Sequence, residues 1–300
     1  MSDYHTPVLL EESLEALQIR PQGIYVDATF GGGGHSAALL RRLGPGGRLI
    51  AFDKDSEALA NAPKDNRLIL VHNNFRFVHN FVKYKGYDKV DGILADLGVS
   101  SHQFDTSERG FSFRFDAPLD MRMNTLASRN AEDIVNTYSE EELERIFRIY
   151  GEAENSRRAA ALVFFARTRA AVHTTGDLCK ALEPVLPKIQ EHKYLAKIFQ
   201  ALRIEVNGEM EDLRGLMEGA IKSLRSGGRI AVITYHSLED RIVKNYFKAG
   251  NIDGEVVRDA MGRGESPYTL VNRKPILPTE EEISGNTRAR SAKLRAAERR

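Results

Sequence analysis

The stretch Ile24–Asp53, IYVDATFGGGGHSAALLRRLGPGGRLIAFD, reads as strand, glycine turn, helix, loop and second strand. Ile24, Tyr25 and Val26 form an apolar run of β-type residues, and four consecutive glycines, Gly31 to Gly34, follow shortly after. Glycine accepts φ > 0 and carries no Cβ, so such a turn can bring N–H groups and a helix N-terminus up to a bound molecule. Asp53 falls about 20 residues beyond the glycines, where a βαβ nucleotide-binding unit places the carboxylate that accepts ribose hydroxyls. The unit predicts a nucleoside-cofactor site; the alternative is a tight turn followed by a solvated aspartate.

The details of the turn narrow the cofactor. A strict G-x-G-x-x-G would run Gly31, Gly33 and then residue 36, which is Ser36, so the dinucleotide fingerprint fails at its third glycine. No Gly-Lys-Ser/Thr follows, so the phosphate loop of NTPases fails as well. A glycine turn without a pyrophosphate grip, paired with a ribose acid, fits S-adenosylmethionine. An NAD-dependent oxidoreductase is disfavoured by Ser36.

Working outward, the apolar rhythm repeats. Thr6 and Pro7 are a helix start, with Leu10, Leu14 and Leu17 on one face. Ala58 to Ala60 suggest a short helix, Leu68 to Val71 a third strand, Phe75 to Lys85 a helix, and Asp88 to Leu97 a fourth strand. This order, β-α-β-α-β-α-β, predicts a parallel, doubly wound sheet. From Gly98 to Asp120 the chain is loop-like, with Phe111, Phe113 and Phe115 alternating. A helical block follows: a capping box at Ser139 and Glu142, then helices over Glu152–Ala171, Leu178–Leu186 and Lys193–Val206. The α/β pattern resumes with a helix over Met210–Leu224, a turn at Gly227 and Gly228, and a strand over Arg229–Tyr235. Ser237 to Asp240 resembles a capping box for a helix reaching Phe247, and Tyr268–Arg273 is a last strand. After residue 287 the tail carries six basic residues and one acid, and reads as a basic helix or an RNA-facing arm.

The composition excludes whole classes. In 300 residues, charged side chains make up 28% and hydrophobic ones 42%, as in a soluble globular protein, and the net charge of +1 argues against non-specific coating of nucleic acid. Cys179 is the single cysteine, which excludes a disulfide framework within the chain and a cysteine-rich zinc site. The eight histidines are scattered without H-E-x-x-H, so no metal site is expected. No apolar run reaches the ~18 residues of a membrane span and the N-terminus is not a signal peptide, so a cytoplasmic location is expected. A homodimer is left open.

Doubly wound sheets bind ligands at the carboxyl ends of their strands. Gly33, Gly34, Asp53, Phe75 and Asp96 all fall on that edge. The order FGGGGHS, AFDKD, DLGVSS, ERGFSF, PLDMRM, YHSLEDR and NTRARS, spread over nearly the whole chain, resembles the bacterial small-subunit ribosomal RNA methyltransferase H family, also called MraW. The resemblance implies a doubly wound, mostly parallel Rossmann-like methyltransferase sheet, residues 1–104 and 208–300, with an inserted all-helical substrate-recognition domain, 105–207. It implies S-adenosylmethionine-dependent N4-methylation of a cytidine in the decoding region of 16S rRNA, within a small ribosomal subunit or its late precursor. The cofactor positions it carries over are Gly33, Gly34, His35, Asp53, Phe75, Asp96 and Gln103. A different class of reading is a non-catalytic nucleotide-binding ribosome assembly factor.

The residues support a physical account beside the resemblance. Asp53 can accept from both ribose hydroxyls, Phe75 offers adenine an apolar face or packs in the core, and Asp96 or Gln103 can meet polar groups of the cofactor. His35 starts a helix, where its backbone N–H matters more than its imidazole. Asp96 is the candidate catalytic residue, an acceptor for the N–H bonds of the attacking amine. Many amino-group methyltransferases place an acid or amide, two prolines and an aromatic at this strand end, whereas this chain has Asp96-Leu-Gly-Val. A base lifted from its stack needs a planar partner, for which Phe111, Phe113, Tyr235 and His236 are candidates, with Arg241 nearby. For the two phenylalanines a plain hydrophobic anchor is the alternative. His236, Ser237 and Glu239 do not make a hydrolase triad, since neighbours in sequence rarely aim at one another and no G-x-S-x-G occurs. Arg157, Arg158, Arg167, Arg169, Lys193, Lys197 and Arg203 of the helical block, with the tail, are candidates for gripping RNA phosphates.

Overall fold

The computed structural model describes residues 7–60, 62–99, 107–258 and 264–300. By internal contacts the chain divides into two compact units, residues 1–98 with 210–300, and residues 99–209.

The first unit is built on a seven-stranded sheet: β1 (Ile24–Asp27), β2 (Arg48–Asp53), β3 (Leu68–His72), β4 (Val90–Asp96), β5 (Leu224–Thr234), β6 (Tyr268–Leu270) and β7 (Lys293–Arg299). Their spatial order is β3-β2-β1-β4-β5-β7-β6, parallel from β3 through β5 and antiparallel where β7 joins β5 and β6. The central strands are continuously apolar because both faces are covered. Side chains alternate between faces, so Val26, Ile50, Phe52, Ile93 and Val232 pack against the helices Val78–Tyr84, Glu209–Ser223 and Ser237–Ala249. Tyr25, Leu49, Leu94 and Ile233 meet the helices Leu10–Leu17 and Gly34–Arg42 on the other side. The chain leaves β1 toward β2 on one side and reaches β4 on the other, which opens a crevice at the carboxyl ends of β1 and β4.

Several sequence expectations shift. The tail is neither a basic α-helix nor an arm: after a short 3-10 turn over Thr287–Ser291, Lys293–Arg299 is β7, inserted between β5 and β6. Leu294, Ala296 and Ala297 are buried there, and the charges that masked this pattern are held at the sheet's surfaces. Arg295 is bound by Asp240 at 2.6 Å, Glu298 by Arg229 at 2.9 Å, and Arg299 donates to the Pro267 carbonyl at 2.9 Å. The Gly227-Gly228 turn is a bulge inside a longer β5, since Val90 pairs with Leu224 and Gly92 already with Arg229. The first helix starts at Leu10, after Leu9 in the left-handed region at φ 49°; Thr6 lies outside the described residues.

The second unit is helical: Ala131–Thr137, Glu140–Ile149, Ser156–Arg169, Thr175–Leu182 and Glu191–Asn207. The Ser139–Glu142 capping box is present as expected, and Asn130–Asp133 and Thr174–Asp177 make two more. Ile134, Leu143, Phe147, Val163, Leu178, Ile198 and Leu202 fill its own core. No helix among the described residues is long and apolar enough to cross a membrane.

Candidate active site

The glycine turn is shaped by its immediate neighbours. Gly31 and Gly33 take φ of +52° and +76°, which L side chains rarely adopt, and a Cβ on Gly33 would meet the Phe30 ring at 2.9 Å. Gly34, the first residue of the helix, is small for a different reason: Pro7 lies against it, where a Cβ would come within 2.2 Å of the ring. Ser36, the residue that breaks the dinucleotide fingerprint, has a definite task. Its hydroxyl donates to Asp27 Oδ2 at 2.6 Å, and the Thr29 N–H donates to Asp27 Oδ1 at 3.1 Å. Asp27 is 1% exposed, and burial holds its carboxyl above the usual carboxylate range.

Asp53 closes β2 beside this turn. Gly31 N–H donates to its Oδ2 and Asp55 N–H to its Oδ1, both at 2.8 Å, which fixes the carboxylate and leaves one acceptor site on each oxygen. Burial raises its pKa, the two backbone bonds opposing that rise.

Asp96 ends β4. Its backbone N–H donates to Thr29 Oγ1 at 2.7 Å, joining β4 to the glycine turn, and its Oδ1 accepts the Tyr235 hydroxyl at 2.7 Å. His35 lies on its other side. The imidazole is 6% exposed, Nε2 donates to the Val8 carbonyl at 3.1 Å, and Nδ1 is 3.8 Å from Asp96 Oδ2. The ring of His35, and not only its backbone, is thus part of this edge. Burial pushes the Asp96 carboxyl up to about 6, against the pull of His35 and of the Tyr235 hydroxyl. Burial and the facing Asp96 raise the Tyr235 phenol well above its ordinary value. At neutral pH Asp96 is therefore mostly a carboxylate and Tyr235 a neutral donor.

Tyr235 is aimed by the turn after β5. The N-cap of the helix Ser237–Ala249 is His236, not Ser237: Glu239 N–H meets His236 Nδ1 at 3.5 Å, and Glu239 Oε2 accepts Tyr235 N–H at 2.8 Å. The capping box was legible one residue out of register, because histidine is an unusual cap. Arg241 lies exposed on the first turns of this helix.

Phe75 begins a short turn after β3, half-buried against the sheet core, with Lys54 Nζ 5.7 Å from its ring centre. Asp212, on the helix Glu209–Ser223, organises this wall. It is 2% exposed, pairs with Lys54, accepts from Asn74 Nδ2 at 2.7 Å and lies 3.8 Å from Arg76. No motif announced Asp212; an aspartate on the buried face of an amphipathic helix was the available signal. Gln103 lies outside the described residues. Phe111 is 7% exposed in the core of the helical unit, which supports the anchor alternative over base stacking. Phe113 packs edge-on against Phe199 and stacks on His192 in the same unit.

The donor set favours a cationic ligand. Asp53 and Asp96 end their strands beside a glycine turn that carries no lysine or arginine, so a pyrophosphate would face carboxylates while a sulfonium would be attracted. S-adenosylmethionine fits this edge: Asp53 and Gly31–Gly34 would hold it with Phe75, and Asp96 with His35.

Residues 2–300 match the MraW methylase family. The chain is 55% identical to a protein of Bacteroides fragilis named ribosomal RNA small subunit methyltransferase H, over 297 residues covering 99% of this chain and 98% of that one. Proteins of the same name from Parabacteroides distasonis and Flavobacterium johnsoniae are 54% identical over 299 residues and 52% over 297, each covering 99% of this chain and 98% of theirs. With its doubly wound sheet, its antiparallel β7 and its acidic strand edge, the chain belongs to the MraW methylase family of S-adenosylmethionine-dependent methyltransferases.

Proposed function

We propose that this chain methylates the exocyclic N4 of a cytidine in the decoding region of 16S rRNA, acting on the small ribosomal subunit or its late precursor. Relatives that share half or more of its residues bear the name of small-subunit rRNA methyltransferases. The observation that carries the chemistry is the Asp96 carboxylate, fixed by Tyr235 at 2.7 Å on the same edge as Asp53.

The bound cofactor supplies a methyl group on a sulfonium, open to in-line attack. Gly33, Gly34, His35, Asp53, Phe75, Asp96 and Gln103 are the proposed cofactor residues. Asp53 would accept the ribose hydroxyls with the lone pairs left after Gly31 and Asp55, each bond to a charged acceptor contributing roughly 1.5–3 kcal/mol. Phe75 would present its face to adenine, held in place through Lys54 and Asp212.

The cytosine amino nitrogen is a poor nucleophile because its lone pair is delocalised into the ring. Asp96 Oδ2, free of hydrogen bonds among the described residues, would accept an N–H of that amine and localise the lone pair as attack proceeds. Tyr235 acts on Asp96 by holding Oδ1, and His35 packs beside Oδ2, its Nδ1 3.8 Å away. Much of the remaining acceleration comes from holding two reactants at near-attack distance. His236 and Arg241, beside Tyr235 after β5, are the proposed contacts for the substrate strand.

The test is mass spectrometry of rRNA from cells lacking this protein. Loss of a single N4-methylcytidine from 16S rRNA is expected, restored by the wild-type gene and not by Asp96→Ala. An unchanged modification profile rejects the assignment. Restoration by Asp96→Ala would favour an assembly factor without transfer chemistry.

A further inference from the structure

One surface of the helical unit has features that neither its core nor its ion pairs account for. The helix Ser156–Arg169, SRRAAALVFFARTR, contains four arginines and no acid. Arg157 and Arg158 lie in its first turn, where the helix dipole disfavours cations, and its N-cap, Asn155, provides no side-chain bond. Both arginines are exposed, and neither has an ion-pair partner among the described residues. Their position weakens the helix, so helix stability does not explain them.

Phe164 and Phe165 add the second feature. They are 36% and 54% exposed, while Ala159, Ala160 and Val163 of the same helix are fully buried. Each ring carries a guanidinium, Arg167 at 4.4 Å from the Phe164 centroid and Arg169 at 4.3 Å from that of Phe165. Arg167 also donates to the Val135 carbonyl at 2.7 Å, which anchors it. With i, i+4, i+7 and i+11 spacing, Arg158, Leu162, Phe165 and Arg169 line one side of the helix over about 16 Å.

We propose that this exposed helix face docks a single-stranded segment of RNA, with Phe164 and Phe165 as stacking platforms and Arg157, Arg158 and Arg169 as phosphate contacts. The inference rests on the rRNA substrate proposed above. Exposed aromatic rings between unpaired arginines match the two components of single-strand binding, stacking that tolerates any base and charge that follows the backbone. An acidic protein would pair with the arginines but would not need planar rings lifted into solvent. Docking an unpaired strand here leaves base selection to the methyl-transfer edge.

The test compares the full chain with Phe164→Ala/Phe165→Ala, Phe164→Tyr/Phe165→Tyr and Arg157→Gln/Arg158→Gln. Binding is read by anisotropy of a fluorescein-labelled, mixed-sequence single-stranded RNA across a salt series, and transfer on small subunits from cells lacking the protein. The alanine pair should weaken RNA binding about fivefold or more per ring, with the tyrosine pair restoring it. The glutamine pair should reduce the slope of log K against log salt by about 1.4. Wild-type affinity and slope in all variants overturn the proposal. So does normal RNA binding with lost affinity for whole subunits, which assigns the face to a ribosomal protein. A wild-type chain that binds RNA through this face yet leaves subunits unmethylated overturns the proposed reaction and leaves the docking surface standing.

Discussion

Replacing Asp96 by asparagine separates what this carboxylate costs the fold from what it does in the reaction. Burial raises its carboxyl from 3.8 to about 6 in the native protein. In the unfolded chain the same group ionises near its ordinary value, so between about pH 4 and pH 6 the native state keeps a proton that the unfolded state has released. Where the native state binds more protons, stability falls as pH rises. The two-unit difference corresponds to about 3 kcal/mol, fully present below the lower value and lost above the upper one. Asparagine keeps a carbonyl oxygen to accept the Tyr235 hydroxyl, and its amide can donate toward His35 Nδ1. It stays neutral throughout. The stability of Asp96→Asn relative to wild type should therefore rise between pH 4 and pH 7.5 by up to about 3 kcal/mol, while methyl transfer falls about 100-fold or more. The chain has no tryptophan, so urea unfolding of the cofactor-free protein is followed by far-UV circular dichroism. A stability difference that stays constant across this window, or that favours wild type as pH rises, refutes the account in which desolvation of the half-buried Asp96 raises its carboxyl.

Three further outcomes are expected. Asp53→Ala should raise the calorimetric dissociation constant for S-adenosylmethionine about tenfold or more, through loss of bonds to a charged acceptor, and unchanged affinity would remove Asp53 from the site. Tyr235→Phe deletes the hydroxyl that favours ionised Asp96, so the acid limb of the kcat/KM profile should move to higher pH; a profile that stays in place would show that Tyr235 does not act through Asp96. Deleting residues 287–300 removes β7 from between β5 and β6, and the product should lack cooperative thermal unfolding in circular dichroism. A soluble, cooperatively melting truncation would contradict the central placement of this strand.

The amino-acid sequence by itself determined the sheet's first half and its edge. Local signals suffice there: apolar strand runs, a glycine turn that only φ > 0 residues can make, and an acid at the end of β2. It also determined the break at Gly98 and the helical block, because capping and 3.6-residue periodicity are short-range properties. Only the tertiary structure decided the rest. The strand character of Lys293–Arg299 depends on Asp240, Arg229 and Pro267 neutralising or accepting its charges, and these residues are distant in sequence. Ser36 looked like a missing glycine until Asp27 supplied its partner. Asp212 became legible as the organiser of the Phe75 wall only when Lys54, Asn74 and Arg76 were brought to it. Composition and periodicity record which residues avoid water. Which buried charge meets which partner is set by the packing of remote segments, and in this chain that packing sets the ionisation of Asp96.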